Sequence, residues 1–200
     1  MQPIRTERTT ITAAIPADSA ALARYSVRNA DHLSPWEPER PEGWHSESAW
    51  YTRLVANAAE VRAGRYLPLV ARLHDETEIV AVANLSNIAR GVFQACSIGF
   101  SVDAAHEGQG VMREVLEAAL GHAFSEMGLN RVMANHLPEN TRAAGVLYRL
   151  GFEQEGYARR YLKIAGVWRD HVLTARVASQ EAAAAGAEGV REAAATARVV

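Results

Sequence analysis

Gly108-Gln109-Gly110 stands between a strand-like run ending near Val102 and a helical run beginning near Gly110. Backbone N–H groups at a helix start have no intrahelical partner and carry the positive end of the dipole, so such a turn suits phosphate oxygens. Two glycines let a diphosphate come close to the backbone; a plain structural turn is the alternative. Two nucleotide motifs are excluded. The P-loop needs Lys-Ser/Thr after its last glycine, and Val111-Met112 follows here. The dinucleotide pattern needs a third glycine where Arg113 stands, and the preceding strands do not form βαβ units. Downstream, Asn140, Ala144 and Tyr148 are spaced by four and share one helix face, with Ala143, Leu147 and Leu150 as the complementary core stripe. Two acids sit in aromatic-flanked segments: Glu37 within Pro35-Trp36-Glu37-Pro38, and Asp170 within Trp168-Arg169-Asp170-His171. Seven scattered histidines show no ligand-like pairing, so no metal is expected. Cys96 lies mid-strand with no activating base in view and reads as a buried, inert thiol.

The elements that must hold these residues follow from periodicity. Residues 5–14 read as a first strand, and Pro16 opens a helix from about Ala17 to Ala30. Residues 34–45 hold three prolines and two tryptophans and form a loop. Ser46 caps a second helix in which Ala49, Trp50, Leu54, Ala58 and Val61 recur at helical spacing until Gly64. An antiparallel meander follows: Tyr66 to Leu73, Ile79 to Leu85 and Val92 to Val102, with turns at Asp75-Glu76 and Arg90-Gly91. Asn84 and Asn87 suit the backbone of a bulged turn. A helix from the glycine turn to about Met127 buries Met112, Leu116, Ala119, Leu120, Ala123 and Phe124. A short strand from Arg131 to Asn135, a helix from Asn140 to Leu150 and two strands around Ala165-Gly166 complete an α+β fold on one mixed sheet, residues 1–177. Residues 178–200 are Ala-rich and are expected to be a frayed helical or disordered tail.

Composition narrows the function classes. The 200 residues carry 21 Lys+Arg against 23 Asp+Glu, a formal net charge of −2, which disfavours general nucleic-acid binding by phosphate neutralisation. No apolar run reaches the roughly 18–20 residues of a membrane helix, and MQPIRTERTT lacks the apolar core of a signal peptide. One cysteine cannot form an internal disulfide. A cytoplasmic protein is the expectation.

Several separated segments then carry a resemblance. Glu107-Gly108-Gln109-Gly110-Val111-Met112, Arg131-Val132-Met133-Ala134-Asn135, Asn140, and Leu147-Tyr148-Arg149-Leu150-Gly151-Phe152 resemble the acetyl-CoA core of the GNAT N-acetyltransferases. Pro35-Trp36-Glu37-Pro38, Val82 to Gly91, Met133-Ala134-Asn135 and Gly166 to His171 resemble its RimJ/RimL branch, whose RimJ-type members acetylate the N-terminal alanine of ribosomal proteins; the likeness spans residues 8–177. The resemblance implies a mostly antiparallel sheet flanked by helices, with a splayed strand pair that admits acetyl-CoA as cosubstrate. It implies that Gly108, Gln109, Gly110, Val111, Met112 and Arg113 hold the diphosphate, that Phe100, Ser101, Val102 and Asp103 pair with the pantetheine, and that Asn140 and Tyr148 also bind the cosubstrate. The family usually keeps Arg or Gln three residues before the first glycine; here that residue is Ala105, so one supporting side chain is missing.

Acetyl transfer from a thioester to an amine needs a neutral amine, a donor to the oxyanion and an acid for the thiolate. By the resemblance Tyr148 stands where many members keep that acid. The glutamate that many members carry on the fourth strand is missing from Gln94-Ala95-Cys96-Ser97-Ile98, which leaves Glu37 and Asp170 as base or ammonium-binding candidates. Trp36, Glu37, Asn135, Trp168, Asp170 and His171 are the acceptor-side residues, Asn135 at the end of the strand from Arg131 and the others on loops 31–46 and 163–171. Two other readings fit the same residues. One is an acetyltransferase that inactivates a small amine-bearing peptide or nucleotide antibiotic. The other is a non-catalytic module that binds acetyl-CoA or a ribosomal partner, with the missing strand-four carboxylate as its symptom.

Overall fold

The computed structural model describes residues 1–74 and 76–179. Eight strands form one sheet in the order β1-β2-β3-β4-β5-β6-β8-β7. They are β1 (Ile4–Arg5), β2 (Thr9–Ala13), β3 (Leu67–Leu73), β4 (Ala81–Ala89), β5 (Ala95–Val102), β6 (Arg131–His136), β7 (Glu153–Ile164) and β8 (Val167–Val177). The pairing is antiparallel throughout except between β5 and β6. This is the mixed, mostly antiparallel α+β sheet that the sequence implies.

Strand alternation sends side chains to two different helical layers. One face offers Leu69 and Ala71 of β3, Ala83 and Leu85 of β4, Cys96 and Ile98 of β5, and Val132 and Ala134 of β6. Against it pack α4 (Val111–Gly121), through Val111, Met112, Val115, Leu116, Ala119 and Leu120, and α5 (Thr141–Arg149), through Leu147. The other face offers Val70 and Val82, and it is covered by α1 (Ser19–Arg28) and α3 (Glu47–Arg62) through Leu22, Tyr25, Trp50 and Leu54. Ser46 caps α3 by accepting from the Ala49 N–H.

Four expectations need correction. The single strand at 5–14 is two strands, because Thr6 to Thr9 wrap around the Glu114 carboxylate. That group accepts from the Thr6 hydroxyl, the Arg8 N–H and the Thr9 N–H. The helix expected from Ala17 to Ala30 is a 3-10 turn (Pro16–Asp18) followed by α1, with a separate short α2 (Ala30–Leu33). The α4 stripe runs on through Ala123 and Phe124, but His122–Glu126 is a π-helical turn closed by the Met127 N–H on the His122 carbonyl, 2.9 Å. The strand expected from Val92 starts only at Ala95, since Gln94 takes a left-handed φ of 43°. Asn87, at φ 52°, occupies a bulge between Ser86 and Ala89. The last strand ends at Val177, and the tail expected at 178–200 lies, beyond Ser179, outside the described residues.

Candidate active site

β5 and β6 pair at three positions only: Ala95 with Arg131, Cys96 with Val132, and Ser97 with Met133. Beyond Ser97, β5 continues along β4, while beyond Met133, β6 continues along β8. Two parallel strands therefore part company in mid-sheet, and the edge of β5 from Gly99 to Val102 faces a gap. Backbone groups on such an edge can take an extended ligand as an added strand. Phe100, Ser101 and Val102 are half-buried there. The Asp103 side chain has another task. It is buried and salt-bridged to Arg28 at 2.6 Å, and it accepts the Ala105 N–H at 2.9 Å, so it fixes the end of β5 and the turn after it. These bonds hold its carboxyl below the usual range against the opposing effect of burial, which is the largest single influence on it.

The glycine turn stands at the end of that gap. Gly108 (φ 74°) and Gly110 (φ 81°) are both left-handed, a conformation that only glycine adopts without strain, so both positions need the missing side chain. The first rung of α4 is the Glu114 N–H on the Gly110 carbonyl, 3.1 Å, so the N–H groups of Val111, Met112 and Arg113 precede the ladder. Across the mouth, Glu107 pairs with Arg142 in the first turn of α5 at 3.0 Å. The starts of α4 and α5, each following one of the two parting strands, are thus tied together at one end of the gap. Asn140 caps α5, its Oδ1 accepting the Ala143 N–H at 3.0 Å. Tyr148, on the same helix, is 81% exposed, and its hydroxyl has no protein partner among the described residues. Packing does not account for it.

On the opposite sheet face lies a cleft of about 590 Å³. Its floor includes Tyr25, Val82, Asn84 and Ser101, and its walls include Glu37, Trp44, His45 and Ala165. The Tyr25 hydroxyl and the Ser101 Oγ hydrogen-bond at 2.8 Å, and burial pushes the Tyr25 phenol well above its ordinary value. Ser101 belongs both to this floor and to the open edge of β5, so cleft and gap meet there. The two loops expected to frame the acceptor close on each other at this point. Ala165, at the tip of the β7–β8 hairpin, donates its N–H to the Glu37 carbonyl at 2.9 Å.

The remaining acceptor-side candidates separate into distinct surroundings. Asn135 lies on the same sheet face as the cleft, by alternation with the buried Ala134, and its amide reaches the Tyr161 hydroxyl at 3.3 Å. His171 is only 3% exposed and packs tilted against Tyr161, with ring centroids 5.5 Å apart; burial lowers its pKa. Trp168 is 59% exposed on β8, and Trp36 lies outside the cleft lining. Asp170 has both oxygens engaged: the Arg160 N–H donates to Oδ1 at 2.8 Å and the Tyr157 hydroxyl to Oδ2 at 3.0 Å. The Arg160 amide bond, and then the Tyr157 bond, hold its pKa below the usual carboxylate range. It pins the irregular stretch of β7 between Ala158 and Leu162, and it leaves Glu37 as the acid of the pair that lines the cleft. Asn84, expected with Asn87 at a bulged turn, instead lies in regular β4 pairing opposite Gly99 and lines the cleft, the bulge starting only after Ser86. Arg8, Tyr25 and Tyr161 carry no signal in the sequence, because each depends on a strand or helix distant in the chain. Cys96 is fully buried, and burial pushes its thiol up to about 12.

Residues 8–153 match the model of the acetyltransferase (GNAT) domain. The chain is 41% identical, over 86% of its length and 89% of the relative's, to the [ribosomal protein uS5]-alanine N-acetyltransferase of Escherichia coli. Among solved structures, the ribosomal-protein-S5-alanine acetyltransferase of Vibrio fischeri superposes with a TM-score of 0.86 at 32% identity, covering 90% of this chain and 98% of that one. Mycobacterium smegmatis RimJ, in complex with CoA-disulfide, superposes with a TM-score of 0.82 at 33% identity, covering 94% and 93%. Parting parallel strands, a left-handed glycine turn and matches over nearly the whole sheet agree: the chain belongs to the GNAT family of N-acetyltransferases.

Proposed function

We propose that this enzyme transfers the acetyl group of acetyl-CoA to the N-terminal α-amine, an alanine, of a ribosomal protein in the cytoplasm. The uS5-alanine specificity of the Escherichia coli relative supports the acceptor, and the CoA-disulfide complex of the RimJ structure supports the donor. No helix among the described residues is long and apolar enough to cross a membrane. The observation that carries the reading is the meeting of cleft and gap at Ser101: an acceptor entering between Glu37 and Asn84 arrives at the edge of β5, where the thioester would lie.

In this reading the N–H groups of residues 108–113 take the diphosphate, Phe100 to Asp103 pair with the pantetheine, and the capped start of α5 at Asn140 lies beside it. Glu37 attracts the acceptor's ammonium and receives its proton through water. The neutral amine attacks the thioester carbonyl, the C–S bond breaks, and the Tyr148 hydroxyl protonates the departing thiolate. The extra proton on the new amide nitrogen passes through water to the Tyr148 phenolate and restores it. An α-amine, with a pKa of about 7.7–8.0, is far easier to deprotonate near neutrality than a lysine at about 10.4, so a weak base suffices. Trp168, Asp170 and His171 set the hairpin that carries Ala165 to the cleft wall, Asn135 ties Tyr161 of that hairpin to β6, and Trp36 flanks Glu37 outside the cleft lining.

The test is CoA release from acetyl-CoA with three acceptors: a peptide beginning with alanine, the same peptide with a blocked N-terminus and free lysines, and no peptide. Release confined to the free N-terminus is expected. Equal release from the blocked peptide would overturn the α-amine assignment. Binding of acetyl-CoA without release to any peptide would overturn the peptide acceptor.

A further inference from the structure

Arg8 stands apart from every residue the motifs single out, in the turn between β1 and β2, yet its guanidinium lies against the glycine turn a hundred residues downstream. Its Nη1 donates to the Gln109 carbonyl at 2.7 Å. Its Nε donates to Glu114 Oε2, also at 2.7 Å, and Glu114 accepts the Arg8 backbone N–H at 2.9 Å. Backbone and side chain of Arg8 are thus clamped by one carboxylate on the first turn of α4. The third corner of the fork, Nη2, has no protein hydrogen bond among the described residues. It lies 3.4 Å from where a Cβ on Gly110 would stand.

The neighbouring side chains are otherwise committed. Gln109 Nε2 donates to the Ala105 carbonyl at 2.8 Å, Glu107 pairs with Arg142, and Ala105 offers only a methyl group. Arg113, at the start of α4, is exposed. A planar guanidinium held at Nε and Nη1 presents the two N–H groups of Nη2 in a fixed direction, which suits a phosphate oxygen.

We propose that Arg8 is part of the donor's diphosphate site: it fixes the carbonyl of Gln109, so that the turn keeps its amides outward, and it offers Nη2 to the diphosphate from the N-terminal segment, in the place left open by Ala105. This rests on the acetyl-CoA reading above. It also places the guanidinium in van der Waals reach of the Gly110 position, which its left-handed φ already reserves for glycine.

The test compares two donors that share the thioester and differ in the diphosphate, acetyl-CoA and S-acetylpantetheine, with the alanine peptide as acceptor. Arg8→Gln is combined with Glu114→Gln so that no carboxylate is left without its cation. The double variant is expected to raise the KM for acetyl-CoA about tenfold and that for S-acetylpantetheine less than twofold. Arg8→Lys, which keeps the charge and loses the fork, is expected to fall between wild type and the double variant for acetyl-CoA. An equal rise for both donors would assign Arg8 to folding alone, and no rise for either would remove it from the site; both overturn the inference. Failure of the wild-type protein to bind acetyl-CoA in a calorimetric titration would instead sink the donor reading, so the two failures are distinguishable.

Discussion

Replacing Glu114 by glutamine isolates the charge that ties the N-terminal turn to the start of α4. The carboxylate is 13% exposed and accepts from the Thr6 hydroxyl, the Arg8 N–H and the Arg8 guanidinium. Burial opposes its ionisation, but these donors together lower its pKa from an ordinary 4.5 to about 2. At about 1.36 kcal/mol per pH unit, the gap between folded and unfolded values is worth about 3 kcal/mol. Arg8 is 40% exposed, so solvent screening brings the expected loss to about 2–3 kcal/mol. The sign is fixed by linkage. The folded pKa is depressed, so the stabilisation is complete above the unfolded value and is lost as pH falls towards about 2. By pH 3.5, about one unit below the unfolded value, the stabilisation has fallen by about 1.4 kcal/mol. Urea unfolding of wild type and Glu114→Gln at pH 7, 5 and 3.5 measures this directly. A difference below about 0.5 kcal/mol at pH 7, or one that stays constant down to pH 3.5, would refute the reasoning.

Three further outcomes are expected. Gly110→Ala places a Cβ in a left-handed position (φ 81°) beneath Arg8; the strain of about 1–2 kcal/mol is relieved only by moving the turn. Calorimetry should show acetyl-CoA binding at least tenfold weaker, and an unchanged Kd would take the turn out of the site. Tyr148→Phe should lower kcat about a hundredfold, with Tm and the KM for acetyl-CoA nearly unchanged, because the hydroxyl has no protein partner among the described residues. Full turnover by that variant would exclude Tyr148 as the acid. Cys96 should resist an aromatic disulfide reagent at pH 8 in the native protein and react fully in urea, since its thiol is buried and raised to about 12; rapid native labelling would contradict its placement in the core.

Local chemistry made most of the scaffold legible. Ser46 announced α3, the stripe from Met112 to Leu120 announced α4, and Ala165-Gly166 marked the β7–β8 hairpin tip where the structure has it. Gly108 and Gly110 were legible because the left-handed turn they make is one that glycine alone adopts without strain. What escaped was non-local. The break between β1 and β2 exists because Glu114, more than a hundred residues away, draws in the Thr6 hydroxyl and two backbone amides. Asp170 sits in a segment that invites a catalytic reading, but its partners Tyr157 and Arg160 are set by the hairpin's irregular register, which no periodicity reveals. Tyr161 over His171 and Tyr25 on Ser101 depend on pairings between elements that the sequence names separately.

The missing carboxylate at Gln94 to Ile98 gains a physical meaning from the cleft. A lysine acceptor at neutral pH is almost wholly protonated, and an enzyme that uses it must supply a strong, well-placed base. An α-amine with a pKa of about 7.8 is already about one-third neutral at pH 7.5. It needs an acid residue mainly to attract the charged form and to hold a water that can leave with the proton. Glu37 meets that smaller demand: it is half-buried at the cleft wall, and its backbone is fastened to the hairpin tip through Ala165. The division of labour then follows the sheet. In the proposed reading, the open edge of β5 and the glycine turn serve the donor, the loop and hairpin serve the amine, and the weak base at their junction is matched to an acceptor that scarcely needs one.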